Sequence, residues 1–123
     1  MHRGEIWLPK WPVPPSTNRQ TKPHYVLILS WDAHLRRDRA TVAPLTSEIR
    51  GLDAEVPLDH NDGLDVCVVN LDIIVTLLKT HRESFVARLS DDRMREVDRA
   101  VHYALGIPVP CAIIPRIPSP NPF

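Results

Sequence analysis

Apolar residues along this chain gather in short runs. Val-, Ile- and Leu-rich segments recur at 5–9 (EIWLP), 25–30 (YVLILS), 40–45 (ATVAPL), 54–59 (AEVPLD), 65–71 (DVCVVNL), 74–79 (IVTLLK) and 84–89 (SFVARL), bounded by Asp, Asn, Gly or Pro. Such runs between turn-forming residues read as β-strands. Several at this spacing predict a mainly β fold, a small barrel or sandwich. Within DHNDGLD, Asp62-Gly63 supplies a hairpin turn signal. The period changes once, in LSDDRMREVDRAVHYALG (89–106). Ser90 suits an N-cap, and Asp91 and Asp92 follow where the helix dipole favours negative charge. Met94, Val97, Val101, Ala104 and Leu105 recur at helical spacing, Gly106 is the expected terminator and Pro108 forbids continuation. The stripe predicts a helix laid on the sheet, a packing face and not a cofactor box. No internal repeat is present.

Thirteen prolines divide the rest. Pro9, Pro12, Pro14 and Pro15 crowd PKWPVPPSTNRQTKP, which cannot join a ladder and reads as a long loop between the first two strands. After Gly106 the chain continues as IPVPCAIIPRIPSPNPF, which is neither helix nor central strand and reads as an extended appendage. The expected organisation is one domain over 1–106 and a proline-rich tail over 107–123.

Composition narrows the function classes. Lys+Arg and Asp+Glu are both 15, so the net charge is zero. A protein that coats nucleic acid nonspecifically carries a basic excess, so only a local basic site fits. No apolar run approaches the ~20 residues of a membrane span, and MHRGEIW does not open like a signal peptide. Cys67 and Cys111 match no disulfide framework or zinc pattern, which points to a reducing cytoplasm. The six histidines show no metal-ligand spacing, and phosphate-cradling glycine loops and a G-x-S-x-G elbow are missing. No metal or cofactor is expected.

Two features remain. TVAPLTS (41–47) is an apolar run that ends on two hydroxyls, Thr46 and Ser47, followed by Glu48, Ile49, Arg50 and Gly51. A Ser/Thr turn is the plain explanation. The second feature is electrostatic: between Ile6 and Trp31 there is no acidic residue, while Lys10, Arg19 and Lys22 are interleaved with Trp11, His24 and Tyr25. Cations for phosphates and rings for bases are how single-stranded nucleic acid is held, although a solvated loop with chance lysines has the same composition. RNA gives the two features a joint purpose. Its 2′-hydroxyl can attack the adjacent phosphate, so cleavage requires only positioning, proton movement and charge stabilisation.

These segments, in this order, resemble the MazF/PemK family of toxin–antitoxin ribonucleases. RGEIWL (3–8), KPHYVLILS (22–30), TVAPLTS (41–47), GLDAEVPLD (51–59), VVNLDIIVTL (68–77) and the helical segment 89–106 carry the likeness. The resemblance implies an SH3-like barrel with a C-terminal helix, a homodimer, and metal-independent, sequence-specific cleavage of single-stranded RNA. It also implies an antitoxin whose acidic C-terminal segment occupies the RNA groove. It assigns catalysis to Lys22 and Thr46. The expected RNA contacts are Trp11, Arg19, His24, Ser47, Asn70 and Asp72. The chain departs from the family where Lys22-Pro23 replaces Arg-Pro, and where Ile73, Ile74 and Val75 follow Asp72 in place of polar and basic residues. Those changes leave open a degenerate toxin that binds antitoxin without cutting. A gyrase-binding toxin of the CcdB type is disfavoured, because the helix ends ALGI and not Trp-Gly-Ile.

Overall fold

β3 (Arg39–Thr46) is the longest strand, and three others are built on it. The computed structural model describes residues 1–10 and 25–108. Within these, β1 (Glu5–Pro9) pairs with β2 (Val26–Ile28), and β2 with β3. Along its other edge β3 pairs first with β6 (Val75–Leu78) through Arg39–Val42, then with β5 (Cys67–Asn70) through Leu45 and Thr46. β4 (Glu55–Leu58) lies outside β5, and β7 (Arg82–Arg88) outside β1, so the sheet order is β4-β5-β3-β2-β1-β7 with β6 off that path. All these pairings are antiparallel. The result is a strongly curved, half-barrel sheet.

Proline inside β3 fits this arrangement. Leu45 donates to the carbonyl of Tyr25 at 2.9 Å, and the Thr41 carbonyl accepts from Leu29 at 2.8 Å, so odd-numbered residues of β3 face β2. Pro44 therefore turns its ring nitrogen to the opposite edge, between the last β6 partner of Val42 and the first β5 partner of Leu45. The missing N–H falls in the gap between two ladders and costs neither of them a bond.

The core explains why the strands read as continuous apolar runs. Ile6, Leu27, Ala43, Leu45, Val56, Leu58, Val69 and Leu71 form one buried cluster with Leu89, Met94, Val97 and Ala100. Val26, Ile28, Ala40 and Val42 form a second, flanked by Trp7, Val75 and Leu77. Adjacent residues of β2 thus enter different clusters, as strand alternation requires when both faces are covered. Trp7 is partly buried. Its indole donates to Glu5 at 2.9 Å, and its ring meets Phe85 edge-on at 5.7 Å.

α1 (Asp91–Leu105) begins as expected, with Ser90 Oγ accepting the Arg93 N–H at 3.1 Å, and ends on Gly106 in the left-handed conformation (φ 70°). Its packing stripe is Met94, Val97 and Ala100, supported by Val101. Leu105, assigned to that stripe from spacing, is instead 56 % exposed. The fully buried helix residues are Met94, Val97 and Ala100, so the buried stripe stops short of the last turn. The Asp62-Gly63 signal does join the β4–β5 hairpin, through a 3₁₀ turn (His60–Asp62) capped by Asp59 and ended by left-handed Gly63. The loop expected over 9–23 lies mostly, and the tail almost wholly, outside the described residues.

The corrected stripe yields a contrast between two helix positions. Met94→Ala should lower stability by about 2–5 kcal/mol, as large-to-small core changes do. Leu105→Ala should stay within about 0.5 kcal/mol, as exposed substitutions do. Urea melts of the two variants at equal protein concentration make the comparison, and a large loss at Leu105 would restore the original assignment.

Candidate functional site

Thr46 is the last residue of β3, half-buried, with Val68 of β5 as its partner across the ladder. The bond from Leu45 to Tyr25 sets the start of the second strand segment against this end of β3. Directly opposed residues of an antiparallel pair share a face. Thr46, Val68 and Pro57 therefore lie on one face of the sheet, and Asn70 and Glu55, two positions along, lie on the same face. Leu45, Val69 and Val56 project the other way, into the core.

The segment 47–54 leaves β3 opposite Val68 and enters β4 opposite Asn70, so it crosses from one side of β5 to the other. It is tied at two points. Thr46 Oγ1 accepts the Glu48 N–H at 3.1 Å, which is the Ser/Thr turn read from the sequence. Further on, Glu55 Oε1 accepts from the backbone N–H groups of Arg50 (3.0 Å), Gly51 (2.9 Å) and Leu52 (3.4 Å). Glu55 Oε2 accepts from Arg50 Nε at 3.4 Å, and the Glu55 N–H donates to the Leu52 carbonyl at 2.9 Å. Gly51 adopts φ 73°, a conformation that suits glycine and lets three successive amides turn toward one carboxylate.

The Glu55 side chain is only 2 % exposed. Burial alone pushes its carboxyl pKa up. The amides of Arg50, Leu52 and Gly51, then the Arg50 guanidinium, outweigh that and hold it below the ordinary carboxylate range. Nothing in the sequence marked Glu55 beyond an acidic residue inside an apolar run. The available signal was its position four and five residues after Gly51 and Arg50, within reach of their amides.

Other expected site residues fall as follows. Ser47 is exposed beside Thr46, and Asp72 is exposed in the turn after β5. Asn70 is 5 % exposed, and its side-chain oxygen accepts the Asp72 N–H at 2.9 Å, so it shapes that turn. Trp11, Arg19, Lys22 and His24 lie outside the described residues. Burial, then the charges of Asp62 and Asp65, push the Cys67 thiol pKa up, against thiolate formation. Among the described residues no three His, Cys, Asp or Glu side chains are grouped as metal ligands, and no helix is long and apolar enough to cross a membrane.

A half-barrel antiparallel sheet with one C-terminal helix packed on it, and a hydroxyl at a strand end on the other face, defines a class of small, mainly β domains. Within that class the chain belongs to the PemK-like, MazF-like toxins of type II toxin–antitoxin systems, whose pattern matches residues 2–105. It is 36 % identical over 108 residues to the probable endoribonuclease MazF5 of Mycobacterium tuberculosis (strain ATCC 25618 / H37Rv), covering 84 % of this chain and 91 % of that one. Its fold is similar to that of the Mycobacterium tuberculosis toxin MazF-mt6, at TM-score 0.72 and 25 % identity, covering 85 % of this chain and 99 % of the other. It is also similar in fold to a mycobacterial endoribonuclease in complex with its cognate antitoxin, at TM-score 0.74 and 24 % identity, covering 89 % and 99 %.

The depressed carboxyl gives a pH signature. A group whose pKa is lowered by folding stabilises at neutral pH, and that contribution disappears as pH falls through the folded value. Glu55→Gln removes the titration. Wild type should therefore melt higher than the variant at pH 7, with the gap narrowing toward pH 3. A gap independent of pH over that range would show that the carboxylate charge contributes nothing.

Proposed function

We propose that this toxin is an endoribonuclease that cuts single-stranded RNA without a metal ion. In this reading it works in the cytoplasm as a homodimer, and an antitoxin restrains it by laying an acidic segment in the RNA groove. The observation that carries the reading is the family match over 2–105 together with Thr46 at the end of β3, one residue past Leu45, whose N–H donates to the Tyr25 carbonyl. Lys22 is three residues before Tyr25 in the chain, a span of at most about 11 Å of extended backbone. The catalytic pair is Lys22 and Thr46. RNA contacts fall to Trp11, Arg19, His24, Ser47 and Asp72, with Asn70 shaping the turn that presents Asp72. Residues 1–106 form the toxin domain and 107–123 an appendage.

The chemistry is an internal transfer. The RNA 2′-hydroxyl gives up its proton and its oxygen bonds to phosphorus. The bond from phosphorus to the 5′-oxygen breaks, and that oxygen takes up a proton. The products are a 2′,3′-cyclic phosphate and a 5′-hydroxyl, and no water is consumed. Charge accumulates on the non-bridging oxygens at the transition state, where a cation and a hydroxyl donor are worth most. Lys22 supplies the cation. Thr46 Oγ1 accepts from Glu48, which leaves its hydrogen to donate to a phosphate oxygen.

Purified protein should cut single-stranded RNA in the presence of EDTA, leave DNA intact, and yield the cyclic phosphate. Lys22→Ala should slow cleavage by about 10²–10³, the scale of one preorganised electrostatic group. Lys22→Arg should match or exceed wild type, because a planar fork contacts phosphate at two oxygens. Activity in Lys22→Arg alone would favour a degenerate toxin, and activity in neither would overturn the catalytic assignment. Light scattering at micromolar concentration should give a dimer; a clean monomer would count against the groove as described.

A further inference from the structure

Glu55 is a charged group placed out of water on the Thr46 face of the sheet, and the reaction has no direct use for it. Its four contacts all go to one segment, Arg50 through Leu52. That segment leaves Thr46 at one end and reaches Glu55 at the other, and its first backbone amide to bond a side chain is the one that Thr46 holds. We propose that Glu55 is the positioning residue for the Thr46 hydroxyl, fixing from the far end the segment whose Glu48 N–H orients Thr46 Oγ1.

The physical case has three parts. A buried carboxylate is costly unless its lone pairs are filled, and here three amides and a guanidinium nitrogen fill them, so its position is tightly determined. Glu55 is also fixed through the backbone, opposite Asn70 on β5, while Thr46 is fixed opposite Val68 on the same strand. Both ends of the segment therefore refer to β5, and its middle has little freedom left. Finally, a threonine hydroxyl rotates about its own bond, so its hydrogen is aimed only by what occupies the lone pairs. The Glu48 amide occupies one, which directs the hydrogen away from the turn. Without Glu55 the Arg50–Leu52 amides turn to water, the segment loosens, and the Glu48 amide no longer holds one place.

The inference rests on the catalytic reading of Thr46, and the test separates the two. The substrate is the best-cut oligonucleotide recovered from a randomised single-stranded RNA pool. Glu55→Ala should lower kcat by about tenfold to a hundredfold, as small misplacements of reacting groups do, with KM held within about twofold. In the double variant with Thr46→Ala, the loss should be no greater than in Thr46→Ala alone, because one group acts through the other. Amide exchange at Glu48 should accelerate along with that at Arg50–Leu52. Should Glu55→Ala fail to fold, Glu55→Gln serves: it keeps one acceptor oxygen and loses the charge, so a smaller kcat loss with the same non-additivity is expected. Wild-type kcat in a folded Glu55 variant, or losses that multiply with Thr46→Ala, would overturn the inference. If Thr46→Ala cuts as fast as wild type, or no pool member is cut, the Thr46 reading itself fails and takes this one with it.

Discussion

One strand has to satisfy three ladders. β3 gives one edge to β2 and divides the other between β6 and β5, and the divide falls at Pro44. A residue with an N–H at that point would carry a donor aimed into a gap between partners, with a cost of about 1–3 kcal/mol if it stayed buried and unpaired. Proline removes the donor and fixes φ, so the strand crosses from one ladder to the next without an orphan group. This crossing delivers Thr46 beside β5.

Past that crossing, the exposed residues 47–53 are tied down by hydrogen bonds and charge, while the strands on either side of β5 pack into the core. Val68 and Asn70 are buried on the outer face of the sheet, and the segment 47–54 links the strands on either side of them. A polar backbone passing over a sheet needs partners for its amides. Glu55 supplies three at once, and its own desolvation is offset by the same bonds. The arrangement is rigid because neither side can be removed cheaply: without the carboxylate three amides lose their acceptor, and without the segment a carboxylate is left buried and unpaired.

The strands and the helix were legible in the sequence because their signals are local. Apolar runs stand between turn formers, and Ser90, Asp91, Asp92 and Gly106 punctuate the helix at its proper ends. Leu105 was misplaced because spacing tells which way a side chain points, not how far along the helix the buried stripe runs. Asn70 illustrates the same limit at the site. Its burial depends on register with Glu55, which no local pattern reports. Thr46 and Ser47 were visible as two hydroxyls ending an apolar run. Glu55 was not, since in sequence it is one acidic residue in a strand and its meaning lies in three amides folding back toward it.

The two readings of Thr46, turn residue and catalytic donor, cease to compete once its hydroxyl is divided into its parts. The oxygen has two lone pairs and one hydrogen. The turn uses a lone pair, through the Glu48 amide, and leaves the hydrogen unspent. A donor that is already gripped at its acceptor side loses less freedom when it meets a phosphate oxygen, and it stabilises developing charge without first having to be oriented. Under the catalytic assignment proposed for Thr46, the Ser/Thr turn restricts where that hydroxyl can donate. A serine or threonine without that grip would have to be ordered by the substrate itself, at the expense of the transition state.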